Sequence, residues 1–145
     1  MNVSAQAVTI VMIEDDEGHA RLIEKNLKRA GVYNQVLHLA SGTAAVQPLF
    51  GPQRQAGAPV LVLLDLNLPD MSGIDILARL KADPELRLAP VIVLTTTDDD
   101  REIRRCYDLG CSVYITKPVN YETFASAVRQ LGLFLAVIQV PPTAP

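Results

Sequence analysis

The sequence predicts a single doubly wound α/β domain built on a parallel sheet, and three observations predict it. Short apolar runs rich in β-branched residues recur five times along the chain. The runs do not alternate with polar residues, Val60-Leu61-Val62-Leu63-Leu64 being the plainest case, as expected of strands covered by helices on both faces. Between them lie segments with apolar residues at helical spacing and with recognisable ends. Strand and helix therefore alternate, with crossovers of the length that right-handed β-α-β units require.

The first run, Val8–Ile13, leads to a helix with an apolar stripe of Ala20, Ile23, Leu27 and Ala30. Asp16 is placed to cap its start, Lys28 and Arg29 suit its last turn, and Gly31 can take the left-handed cap. The second run is Val36–Ala40. Ser41 then opens a poorer helix that Pro48 should kink or end, with a loop over Gly51–Ala58. After the third run, Val60–Leu64, Ser72 opens a helix through Ile74, Leu77 and Leu80. After the fourth, Val91–Thr95, Asp99 and Glu102 are spaced as a capping box ahead of Ile103, Cys106 and Tyr107, and Gly110 ends that helix. The fifth run is Val113–Thr116, and Asn120 opens a last helix carrying Phe124, Val128, Leu131 and Leu135. The expected strand order is flavodoxin-like, 2-1-3-4-5, in a three-layer sandwich with five helices. Ligands of such sheets bind at the carboxyl ends of the strands, near the switch between strands 1 and 3.

Bulk properties narrow the function. A chain of 145 residues is long enough for one sizeable core, and 49% hydrophobic with 20% charged residues is an ordinary globular composition. A net charge of −3 with no basic run argues against direct nucleic-acid binding. Cys106 and Cys111 are too few for a disulfide framework and are expected to be packed thiols. The stretch from Met1 to Ile13 has no basic region and runs into acids, so it is no signal peptide and a cytoplasmic location is expected. Leu131 to Val140 is about half the roughly 20 apolar residues that span a bilayer.

The strand ends carry the chemistry. Glu14, Asp15 and Asp16 follow the first strand and Asp65 follows the third, so in this fold their carboxylates converge. Converging acids raise one another's pKa unless a cation neutralises them, and Mg²⁺ suits because it tolerates carboxylates, waters and phosphate oxygens together. Thr95 ends the fourth strand and Lys117-Pro118 follows the fifth, supplying a hydroxyl and an ammonium across the same cleft. Singly, each has a bland reading, as a helix cap, a ladder end or a surface charge. Jointly placed, they suit a phosphoryl group on Asp65.

With these residues in hand, the chain resembles the receiver domains of two-component response regulators from about Val8 to about Leu131. Val62-Leu-Leu-Asp65-Leu-Asn-Leu-Pro69-Asp-Met-Ser-Gly73 is similar to that family's phosphoacceptor strand and turn, and Tyr114-Ile-Thr-Lys117-Pro118 to its last motif. The resemblance implies that Asp65 is the phosphoacceptor, that Asp15, Asp65 and the backbone carbonyl of Asn67 ligate Mg²⁺, and that Glu14 acts through water. It also implies that Thr95 and Tyr114 form the switch, that Lys117 pairs with phosphate and that Pro118 follows a cis peptide. Asp16 then falls outside the metal shell, because the apolar run ends at Ile13. Thr96 stands where the family often has Ala or Gly and is expected to narrow access to Asp65. Leu64-Asp-Leu-Asn-Leu-Pro69, the Thr95-Thr-Thr97 run and the tail from Phe124 to Pro141-Pro142 further resemble stand-alone receivers partnered with phytochrome-type sensor histidine kinases.

Two other functions compete with this one. A phosphotransferase or phosphatase using Asp65 as covalent nucleophile needs a second acid two residues on, where Asn67 stands. A pseudo-receiver that never takes phosphate is disfavoured by competent residue types at every position. The residues beyond Leu131, 132–145, are expected to extend the last helix and end in a Pro-rich tail. Leu133, Phe134, Val137 and Ile138 should then form a homodimer with the fourth helix, fifth strand and fifth helix, folding back on the chain's own sheet being the alternative. His19, at the exposed start of the first helix, and His38, in the second strand, are assigned no role.

Overall fold

In the computed structural model the described residues are 8–52 and 57–143. Ten elements alternate: β1 (Thr9–Ile13), α1 (Glu17–Arg29), β2 (Val36–Leu39), α2 (Gly42–Phe50), β3 (Val60–Leu64), α3 (Gly73–Ala82), β4 (Val91–Thr95), α4 (Asp100–Leu109), β5 (Val113–Thr116) and α5 (Tyr121–Leu135). The strands form one parallel sheet in the order β2-β1-β3-β4-β5, with Ile13 beside Leu64 and Leu64 beside Val93. The three central strands thus end almost level, and the residues that follow them emerge at one edge.

The unalternating runs bury both faces. Val11, Ile13, Val62, Leu64, Val91 and Val93 point to the side covered by α2, α3 and α4. Ile10, Met12, Leu61, Leu63, Ile92 and Leu94 point to the side covered by α1 and α5. Cys106 and Cys111 are buried free thiols in the first of these layers, and burial pushes Cys106 up to about 11, well away from reactive thiolate behaviour.

Local chemistry ends the helices where expected. Asp16, Ser41, Ser72, Asp99 and Asn120 each accept a hydrogen bond from a backbone N–H of the first helical turn. Gly31 and Gly110 have φ of 91° and 108°, and the residue after each donates back to Leu27 and Cys106 respectively, closing both helices in the same way. Pro48 sits inside α2, which stops two residues later at Phe50. Of the loop expected over Gly51–Ala58, residues 53–56 lie outside the described residues, as do 1–7 and 144–145.

The last helix extends past Leu131, but only by one turn. Helix α5 ends at Leu135, with the Ala136 and Val137 N–H groups donating to Gly132 and Phe134, and Pro141-Pro142 cannot continue a helix. The chain then crosses the amino ends of the strands. Ile138 and Val140 pack with Val8, Ile10, Val32 and Leu61, and buried Thr143 donates to the Ala58 carbonyl at 3.0 Å. Ile138 therefore belongs to the chain's own core, whereas Leu133, Phe134 and Val137 are 62%, 54% and 72% exposed. Among the described residues, no helix is long and apolar enough to cross a membrane.

Candidate functional site

Asp65 leaves β3 at the level edge of the sheet, and the backbone behind it is closely supported. A Cβ on Gly73 would stand 2.4 Å from the Asp65 carbonyl oxygen, so only glycine allows α3 to start so near. Asp65 Oδ1 accepts the Thr95 hydroxyl at 2.7 Å and the Asn67 N–H at 3.1 Å, and Oδ2 accepts the Lys117 ammonium at 2.9 Å. Lys117, buried at the end of β5, also donates to Glu14 Oε1 at 2.5 Å. Glu14 Oε2 accepts the Asp16 N–H at 3.2 Å.

The electrostatics follow from these contacts. Burial drives Glu14 up to about 7 against the opposing pull of Lys117, with Asp65 adding like-charge repulsion. Burial also works against the ionised Asp65, yet the Asn67 N–H, the charge of Lys117 and the Thr95 hydroxyl outweigh it and hold Asp65 below the usual range. Both acids touch one ammonium, but Asp65 collects more donated hydrogen bonds, so Glu14 is the acid pushed up and Asp65 the one held down.

Oxygens of Glu14, Asp15 and Asp65 lie within 4.8 Å of one another. Asp15 is exposed and has no hydrogen-bond partner among the described residues, so its lone pairs are open, whereas both oxygens of Glu14 are engaged. An oxygen-only donor set with excess negative charge fits a hard divalent cation. Asp15 and Asn67 also line an open groove of about 410 Å³ that includes Leu68, Met71 and Glu102 and gives access from solvent.

The two residues expected to form the switch each make a side-chain hydrogen bond. Thr95 points at Asp65, and half-buried Tyr114 donates its hydroxyl to the Thr97 carbonyl at 2.6 Å, its phenol pushed up to about 12 chiefly by burial. The Asn67 amide lies 3.4, 3.3 and 3.1 Å from the hydroxyls of Thr95, Thr96 and Thr97. Pro118 departs from expectation. No peptide bond among the described residues is cis, so Lys117-Pro118 is trans, the isomer favoured before proline by about 0.5–1 kcal/mol.

Both histidines, assigned no role from the sequence, prove to touch the site. Half-buried His19 lies with Nδ1 3.1 Å from the Lys117 ammonium, and His38 Nε2 donates to the Glu14 carbonyl at 2.7 Å. Their signal was weak: His38 precedes Leu39, whose carbonyl accepts the Glu14 N–H, so only the β1–β2 register reveals it.

Comparison with known proteins gives a consistent result. The family model for the response regulator receiver domain matches residues 10–129. The structure of a response regulator receiver domain from Rhodospirillum rubrum is similar at 64% identity and a TM-score of 0.91, covering 94% of this chain and 99% of that one. The response regulator Rcp1 of Synechocystis is 33% identical over 135 residues, covering 91% of this chain and 92% of Rcp1. The structure of its Mn²⁺-bound form, with 92% and 98% covered at 32% identity, has a TM-score of 0.82. The phosphorylated cyanobacterial phytochrome response regulator RcpA is 33% identical with a TM-score of 0.84, covering 94% of this chain and 99% of RcpA.

Proposed function

The chain belongs to the response regulator receiver family, and from that membership we propose that it accepts a phosphoryl group on Asp65 and signals by the resulting change in shape. The observation that carries this reading is the Asp65 carboxylate held at once by Lys117 and Thr95 beside Glu14 and Asp15. In the reaction an Asp65 oxygen attacks phosphorus in line, the phosphorus–nitrogen bond of a kinase phosphohistidine breaks, and the leaving imidazole keeps the electron pair. Lys117 lies where it can pair with the incoming phosphoryl oxygens, and Thr95 is within reach to donate to one of them. Bound Mg²⁺, held by Asp15, Asp65 and the Asn67 carbonyl with Glu14 acting through water, would supply further neutralisation of phosphoryl charge.

The chain is a phosphoacceptor and not a turnover enzyme. Asn67 occupies the place a general acid would need, and its amide faces three hydroxyls. Incubation with a small phosphodonor and Mg²⁺ tests this: one stable acyl phosphate per chain is expected, continuous turnover would show an enzyme, and no product a scaffold. The donor is a cytoplasmic sensor histidine kinase of phytochrome type, the reading supported by likeness to RcpA along nearly the whole chain. Direct nucleic-acid contact is not part of this reading, given the mild negative charge.

Metal binding should distinguish the two acids that follow β1. Asp15→Asn is expected to weaken Mn²⁺ or Mg²⁺ affinity about 10- to 100-fold and Glu14→Gln several-fold less, as titration calorimetry would measure. Equal losses would shift the ligand assignment by one residue. Glu14 also makes affinity pH-dependent. It is partly protonated near pH 7, so binding releases a proton and affinity should rise between pH 6 and 8.

The protein is further a homodimer through α4, β5 and α5. Exposed Tyr107, Tyr121, Leu133, Phe134 and Val137 on or beside these elements support this, since exposed apolar patches usually mark partner sites. A chain cut before Leu131 would lose Leu131, Leu135, Ile138 and Val140 from its own core, so charge substitution is the cleaner test. Sedimentation at micromolar concentration should show a wild-type dimer and a monomer for Phe134→Glu with Val137→Glu. A wild-type monomer, with and without phosphodonor, would remove the interface.

A further inference from the structure

An ammonium group carries three N–H donors, and a buried one needs an acceptor for each. Lys117, 4% exposed, gives two to Glu14 and Asp65. The third nearest polar atom is His19 Nδ1 at 3.1 Å, and because an ammonium can only donate, Nδ1 must accept. The imidazole is then the neutral form with its proton on Nε2. A proton on Nδ1 would set donor against donor, although Asp16 Oδ2, 3.9 Å from the same nitrogen, lies nearby.

His19 is itself held from three directions. Its backbone N–H donates to the Asp16 cap at 3.0 Å, fixing it in the first turn of α1. Its ring stands edge-on to buried Phe124 of α5, centroids 5.4 Å apart and planes at 85°. A ring pinned between two helices, with one nitrogen aimed at the lysine of the sheet edge, sets the rotation of that ammonium.

We propose that His19 is a positioning residue for phosphoryl transfer: neutral His19 accepts the third N–H of Lys117 and so keeps the other two directed at Glu14 and Asp65. This rests on the phosphoacceptor reading above. With this acceptor gone, the ammonium can swing toward solvent, and its alignment on incoming phosphoryl oxygens must be recovered at each reaction.

Two substitutions separate hydrogen bonding from packing. His19→Phe keeps a ring against Phe124 and loses the acceptor. His19→Asn keeps an acceptor near the position of Nδ1 and loses the ring. Phosphorylation by a small phosphodonor with saturating Mg²⁺ should slow about tenfold in His19→Phe, the worth of one hydrogen bond to a charged group, and recover most of that in His19→Asn. Equal rates for His19→Phe and wild type, or an Asn variant as slow as the Phe variant, overturn the proposal. Because His19→Phe could unfold, the wild-type chain supplies an independent measurement: long-range ¹H–¹⁵N correlation should show Nε2 protonated and Nδ1 bare, and a protonated Nδ1 overturns the proposal. A wild-type chain that takes no phosphoryl group sinks the phosphoacceptor reading itself, whereas a reactive wild type matched by His19→Phe sinks only the role of His19.

Discussion

Asp65→Asn is expected to lose phosphoryl incorporation completely while keeping its fold. The amide has no nucleophilic oxyanion, and no other described carboxylate is held by both Lys117 and Thr95. Two opposing effects act on stability. Removing one of three converging carboxylates relieves repulsion, most of all on Glu14, whose raised pKa owes part of its shift to Asp65. Against this, an amide cannot accept on both sides: with its oxygen toward Lys117 it turns an NH₂ toward Thr95 and the Asn67 N–H, and the latter loses its partner. The net change is about 1 kcal/mol or less. Radiolabelled phosphodonor and a thermal melt check both halves, and label retained at the wild-type level would refute the acceptor assignment.

Lys117→Ala should have the larger effect on stability. It strips the buried cation from Glu14 and Asp65, and breaking a buried pair by removing one partner typically costs about 3–5 kcal/mol. Protonation limits the damage, and this makes the loss pH-dependent. Without the ammonium, both carboxyls are expected to bind protons more tightly when folded than when unfolded. Stability of the variant is then greatest in acid and falls as pH rises through the folded-state values. Wild type should show a weaker trend of the same sign between about 4.5 and 7, from the raised Glu14. Added Mg²⁺ should restore part of the melting temperature, since it binds only the folded site. Some phosphorylation should remain, uncoupled from the conformational response. A variant that melts like wild type at pH 8 without metal would show that Lys117 does not balance these acids.

The fold was legible because parallel strands covered on both faces need unbroken apolar runs, and caps such as Ser72 and Gly110 announce themselves locally. The converging acids were legible for the same reason, since each follows a strand whose position the pattern reveals. What escaped depended on rotation and register. His19 meets Lys117 across 98 residues, and an apolar stripe does not say which side of a helix start faces a lysine on another strand. The tail escaped because hydropathy counts Ile138 and Val137 alike. Only the end of α5 at Leu135 turns one inward and leaves the other outside.

That crossing tail also determines where the molecule can be handled. Thr143 is fastened to Ala58 just before β3, whereas Asp65 lies just past the other end of the same strand, whose five extended residues alone span about 16 Å. A dye or surface tether attached after Thr143 therefore leaves the molecule at the end opposite the acidic cluster. Immobilised this way, the chain presents Asp65 to the bulk, so single-molecule or biosensor measurements can follow its phosphorylation without the linker shading the site.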